Sequence, residues 1–476
     1  MSPRHVAALA AILLAAPALA GCVSPGGSLS TSSLAPKLDL LPLANTSLWP
    51  DHQNEPHPAY GWPTLTHPAT GPNVPKLWAP IPNATMPKTI KGLEQVAKSP
   101  AIVTRGAGTS IFGSIAVVPG FGAQSSFIDI SNPLDPQLLS QTEKSNVSHR
   151  GSAVIAFPNG TLIALFSTGY GMQAFDITDP THPTLASDVH LARGHKLGVV
   201  PGTPIVYNAN SMGGTKSLPG GLPDPENNLG NGEGWTEIMD FSDPWAPVQV
   251  GNFTNGYGCH HIFFWNDASK DKYRAVCSGI QFTQIWDIKD PKAPKVIVNV
   301  PMHHGNTMLP STSVTAGAGP VRFLTFSHTA MLSEKGDILI AGDEFQGGGG
   351  PAECDGTGMG PSGPLGNLWF YDVKDEKNPK LLGWVSPPPQ NVPTQDTGTG
   401  CTAHHGRLVP DPEGKRQLLV MAWYKAGVVL VEFTDPTAPV ILDQFNKGTN
   451  TWEAWYDNGY VFTGDMARGL DVLRFK

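Results

Sequence analysis

Short apolar runs, each about the length of one β-strand, alternate along the chain with clusters of Gly, Pro, Asn and Asp. One stretch shows the plan. GSAVIAF (151–157) ends in a turn, and TLIALFST (161–168) follows. A third run closes on Asp176, and TLASDVHL (184–191) starts after a proline. Runs of this length rich in Val, Ile, Phe and Thr, bounded by turn formers, are strands, and no helical period interrupts them. Four strands make one unit, and the unit recurs. Its mark is a strand ending in an acid, then an apolar residue, a small or basic residue and a second acid or amide. The copies are FIDISNPLDP (Asp129), AFDITDPTHP (Asp176), IMDFSDPWAP (Asp240), IWDIKDPKAP (Asp287), FYDVKDEKNP (Asp372) and VEFTDPTAP (Glu432). LDVLRFK closes the chain as a seventh, with Arg474 at the acidic position.

Self-similarity at this spacing signifies a repeat architecture, and a four-stranded antiparallel unit is a propeller blade. The expected fold is all-β, a seven-bladed β-propeller. The seventh copy lacks a fourth strand, so the outer strand of that blade should come from upstream, within Lys88–Lys98, and close the ring without an open edge. The repeated acid itself reads as turn chemistry, a carboxylate capping backbone amides before a proline-fixed turn. Trp286, Trp369 and Phe175 beside it read as blade core.

The N-terminus is of another kind. Arg4 and His5 precede an apolar run, Val6–Ala20, and then Leu19-Ala20-Gly21-Cys22. This is the pattern of an export signal, too short for a spanning helix. Cys directly after Leu-Ala-Gly resembles the lipobox of exported lipoproteins, with Cys22 as the lipid-bearing first residue. The expected organisation is a signal over 1–22, a Gly/Ser-rich then Pro-rich tether or strap over 23–98, and the propeller over 99–476. The protein would then be exported and held at the membrane or cell surface through Cys22. The net charge of −8 and the lack of any Lys/Arg cluster argue against nucleic acid as a partner. Export makes disulfides the default for the other cysteines. Strand topology favours Cys259–Cys277 within one hairpin and Cys354–Cys401 between loops on one rim.

Histidines recur near the start of the first strand of most units: His149, His195, His260-His261, His328 and His404-His405, with Glu453 at this place in the seventh. Three of them, His149, His260 and His405, precede their motif acid by 27 residues. In a propeller the first strand lines the central channel. Long insertions (208–234, 301–327, 344–366 and 386–403) belong to the same face. Converging neutral imidazoles suit a transition metal, copper or zinc. His149, His195, His260, His328, His404 and Glu453 are the candidate ligands, with Asp343 and Glu344 as supporting acids. The competing reading is a repeat-encoded staple, each histidine bonding a neighbouring blade's backbone. No nucleophile elbow, zinc-protease helix, Cys-x-x-Cys pair or phosphate loop is present.

The motif copies resemble the LVIVD-repeat β-propeller family. CHHIFFWNDASKDKYRAVC with TQIWDIKDPKAP, FSHTAMLSEKGDILIAGDE and TAHHGRLV are similar to segments of its choice-of-anchor B surface proteins. The resemblance implies a secreted or surface-anchored propeller and no particular reaction. Two functions therefore stand as expectations. The first is a surface-anchored propeller binding a protein, glycan or small ligand on its histidine-bearing face. The second is a metal-dependent propeller with oxidoreductase or hydrolase activity.

Overall fold

A computed structural model describes residues 79–476, apart from 100–104, 123, 144–146, 192–193, 210–216, 219–221, 224–233, 257–258, 280–281, 302–307, 311–320, 324, 346–358, 361–362, 365 and 387–400. It is a ring of seven four-stranded antiparallel blades. Blade 1 comprises Ser110–Phe112, Ile115–Val118, Ser126–Asp129 and Gln137–Gln141, and blade 2 Ser152–Ala156, Leu162–Thr168, Gly171–Asp176 and Thr184–His190. Blade 3 is Lys196–Val199, Ile205–Ala209, Gly234–Asp240 and Val248–Gly256, and blade 4 His261–Asp267, Lys272–Ser278, Phe282–Asp287 and Lys295–Pro301. Blade 5 is Thr325–Leu332, Ile338–Phe345, Leu368–Asp372 and Lys380–Val385, and blade 6 Gly406–Val409, Leu418–Ala422, Val428–Glu432 and Val440–Phe445.

Blade 7 joins the two ends of the ring. Thr451–Asp457, Tyr460–Asp465 and Asp471–Phe475 supply three strands, and Leu93–Lys98 pairs antiparallel with the last of them as the outer strand. This strand lies inside the segment expected to close the ring. The chain before it also packs on blade 7: Ile81 and Ile90 are buried, and the Ala84 amide donates to the Asn458 carbonyl.

The second strands read as continuous apolar runs because both of their faces are covered. In blade 2, Leu162, Ala164 and Phe166 face the core shared with blade 1, whereas Ile163 and Leu165 face the core shared with blade 3. The same alternation repeats around the ring, so the hydrophobic core consists of layers between adjacent blades.

Each motif acid ends the third strand of its blade and behaves as turn chemistry. Asp129, Asp176, Asp240, Asp287 and Asp372 accept from the amide two residues on, at 2.8–3.0 Å. The second acid does the same for the next turn in Asp179, Asp243, Asp290, Asp375 and Asp435. The apolar residue between them (Ile130, Ile177, Phe241, Ile288, Val373, Phe433) is buried, and its amide donates back to the hairpin of the same blade. The motif is thus a corner piece, and Trp286, Trp369 and Phe175 beside it are buried as core.

Candidate metal centre

Strand register decides which first-strand residues reach the channel together. In each blade the motif position faces one residue of the second strand: Ile115, Ile163, Ile205, Arg274, Ile338, Leu418 and, opposite Arg474, Tyr460. Following the hairpin inward from these pairs brings Lys196 opposite Ala209, His261 opposite Ser278, Thr329 opposite Gly342 and Glu453 opposite Gly464. The equivalent residue of blade 6 is His405, whose carbonyl accepts from the Ala422 amide, and that of blade 2 is Gly151, bonded to Ser167. These residues form one tier of the channel. The residue before each forms a second tier: Arg150, His195, His260, His328, His404 and Trp452. In blades 5 and 7 the ladder shifts register between Ser327 and Thr329 and between Thr451 and Glu453, so His328 and Trp452 each sit at a bulge.

Four consecutive blades therefore place a histidine in one tier. Ring centroids are 3.7 Å apart for His195–His260, 4.3 Å for His260–His328 and 4.0 Å for His328–His404. His405, from the tier beside it, stands 4.7 Å from His328 and 4.1 Å from His404. The ligand atoms of His195, His260 and His328 all lie within 4.8 Å of one another, and so do those of His328, His404 and His405. All five residues are buried, His328, His404 and His405 completely.

Burial also sets their charge. Desolvation holds His195, His261, His404 and His405 well below the usual imidazole range, and takes His328 down to about 3. Neighbouring imidazoles and the Lys196 ammonium push several of them the same way. His195, His328, His404 and His405 are thus held in the neutral form, which donates a lone pair to a metal. His404 Nδ1 donates to the Trp452 carbonyl of the next blade at 2.5 Å, leaving Nε2 with the lone pair. That bond is the backbone staple of the competing reading, and it also fixes a ligand tautomer. Among the described residues, His195 Nδ1, His404 Nε2 and both nitrogens of His405 have no hydrogen-bond partner. A buried polar atom left unsatisfied costs about 1–3 kcal/mol, so a ring built only for stability would not keep several. A metal would satisfy them, and the donor set fits one.

The surroundings are aromatic and acidic. Trp452 covers the cluster, 4.5 Å from His404 and 6.1 Å from His195. Glu344 Oε2 is 3.5 Å from His328 Nε2, and its Oε1 accepts from the Tyr424 hydroxyl at 2.6 Å. Burial pushes Glu344 up to about 8, against the pull of the Tyr424 bond. Tyr424 is held at φ 43°, in the left-handed region that non-glycine residues avoid, by a two-way backbone pairing with Thr451. Such backbone strain gathers at functional sites. The Cys259–Cys277 disulfide, Cα–Cα 5.5 Å, ties the residue before His260 to the end of the adjoining strand. Cys401 is disulfide-bonded; its expected partner, Cys354, lies outside the described residues.

Three of the residues singled out in the sequence lie apart from this cluster. His149 is one position before its tier, so its side chain takes the other face of the strand. There its Nδ1 is 2.7 Å from Ser125 Oγ, its Nε2 is 2.9 Å from Gln173 Oε1, and its ring stacks on Phe166. The shared spacing of 27 residues hid this, because hairpins of unequal length put His149, His260 and His405 at three different register positions. Glu453 is fully buried between Lys196 Nζ (2.6 Å) and Arg407 (3.1 Å), an ion bridge and not a member of the histidine group. Asp343 accepts from the Gly366 and Asn367 amides and from Trp369 Nε1, which anchors the third strand of blade 5. Trp452, Tyr424, Lys196 and Arg407 went unread in the sequence. The first and third were legible as the neighbours of Glu453 and His195 once register is known. Tyr424 carries no local signal.

No family model matches the chain, and no curated protein matches it.

Proposed function

We propose that this protein is an exported, surface-tethered metalloprotein whose channel histidines hold a transition-metal ion. One observation carries the reading. Five buried histidines from four consecutive blades converge, in two overlapping sets whose ligand atoms lie within 4.8 Å. His195, His260, His328 and His404 would be the ligands, with His405 as a fifth donor and Glu344 orienting His328. An all-imidazole set suits copper and zinc, and copper leads in the general affinity order. Bound copper would supply redox chemistry and bound zinc a Lewis acid for hydrolysis. The sequence alone put ligand binding on the looped face first and a metal second. The convergence of the histidines favours the reverse order.

Tethering belongs to the same proposal. It is supported by the Leu-Ala-Gly-Cys22 sequence and the Gly/Ser-rich stretch that follows. The corner motif supports placing the chain with the LVIVD-repeat propellers. The test is elemental analysis of protein produced without residues 1–22. The reading predicts bound copper or zinc at about one equivalent or more, lost when His260 and His404 are both replaced by Ala. A metal-free protein whose melting is unmoved by added copper or zinc would rule it out.

A further inference from the structure

Beside the histidine tiers the innermost strands line a cavity that is open at one end. Six of the seven blades line it. At one end stand Lys196, His261 and Arg407, with the hydroxyls of Ser110 and Ser152 2.8 Å apart. Along the strands the lining turns apolar, through Phe112, Val154, Leu197 and Phe264. The charged side chains in the lining are both cations, and the Glu453 carboxylate that bridges them does not itself line the space. The Arg407 guanidinium lies over the Trp455 ring, 3.9 Å from its centroid. Stacking fixes the plane of the donor fork that Arg offers to an oxyanion. A channel with one cationic, hydroxyl-rich end and apolar walls matches a ligand that is anionic at one end and apolar at the other.

We propose that this cavity binds a small carboxylate with an apolar tail. Its carboxylate sits against Lys196, Arg407 and His261, and its tail lies along Phe112, Val154 and Phe264. The inference rests on the metal reading only in making this carboxylate a substrate, because the cavity adjoins the histidine cluster and shares none of its ligands. The His261 ring is 4.5 Å from that of His405, so the bound carboxylate lies one side-chain layer from the histidine cluster.

Titration calorimetry on the metal-free protein in EDTA tests this, with hexanoate as the probe and hexanamide and inorganic phosphate as controls. Hexanoate should bind at one site per chain. Hexanamide should bind about tenfold more weakly or worse, because it loses the charge-assisted bonds. Arg407→Met should weaken hexanoate at least about tenfold. Val154→Trp fills the apolar end, leaves every charge in place and should abolish binding, which covers the case in which Arg407→Met does not fold. Absence of hexanoate binding, binding indifferent to both variants, or phosphate binding as tight as hexanoate overturns the proposal. Because EDTA removes metal from the assay, its failure is separable from that of the metal reading. A protein that takes no metal yet binds hexanoate refutes only the latter.

Discussion

Mild acid should unfold this protein, and the histidine cluster determines where. His195, His261, His328, His404 and His405 are buried, with folded-state pKa values depressed below 6.5. In the unfolded chain each titrates near 6.5. Below that pH the unfolded state takes up protons that the folded state refuses, so stability falls as pH falls. A fully refused proton costs about 1.4 kcal/mol per pH unit, so between pH 7 and 5 the five groups together remove about 9 kcal/mol. Glu344 works in the opposite direction. Its pKa is raised from 4.5 to about 8, so the folded state holds the extra proton across that interval and gains stability as pH falls. Over the same two units it returns about 3 kcal/mol. The net loss of about 6 kcal/mol is comparable to the whole stability of many domains. Urea unfolding of the metal-free protein, followed by tryptophan fluorescence at half-unit steps from pH 7.5 to 5, measures it. Stability should drop steeply below pH 6.5, and His405→Gln should reduce the slope by about one proton. A flat profile down to pH 5, or a slope indifferent to His405→Gln, would show that the buried histidines do not set the acid stability.

Other expectations follow from the same contacts. Replacing Glu453 by Gln leaves Lys196 and Arg407 buried beside a neutral amide, and should lower unfolding free energy by about 3–5 kcal/mol in denaturant titrations. Deleting residues 1–98 exposes the edge of Asp471–Phe475 and should lower the melting temperature and promote aggregation, seen by calorimetry and light scattering; unchanged melting would show that Leu93–Lys98 does not close the ring. Cys22→Ser should move the protein from washed membranes to the soluble fraction; retention after a carbonate wash would end the lipid-anchor proposal.

The fold was legible because it is written seven times. Each Asp-apolar-x-acid corner ends a third strand, and no single copy needed to be right. The closing strand was legible from a shortage, since blade 7 lacked an outer partner. The site was legible only in part. Histidine recurrence pointed to the strands whose histidines converge, but which of them do so depends on a one-residue phase. His149 and Arg150 exchange roles with a shift of one position, and hairpin lengths that differ between blades erase that phase from the sequence. Glu453 was placed in the right ring, yet nothing local told that Lys196 and Arg407 from two other blades would claim it. Asp343 and Glu344 are adjacent in sequence and alternate in direction, so one caps a loop and the other meets His328. Tyr424 came from the tertiary fold alone.

Diffraction from copper-soaked crystals, recorded on both sides of the copper absorption edge, would locate the ion among the channel histidines. An anomalous peak is expected within coordination distance, about 2 Å, of imidazole nitrogens from at least three of His195, His260, His328, His404 and His405, with Trp452 over it. A peak confined to surface histidines such as His182, or a histidine cluster that stays empty at saturating copper, would contradict it.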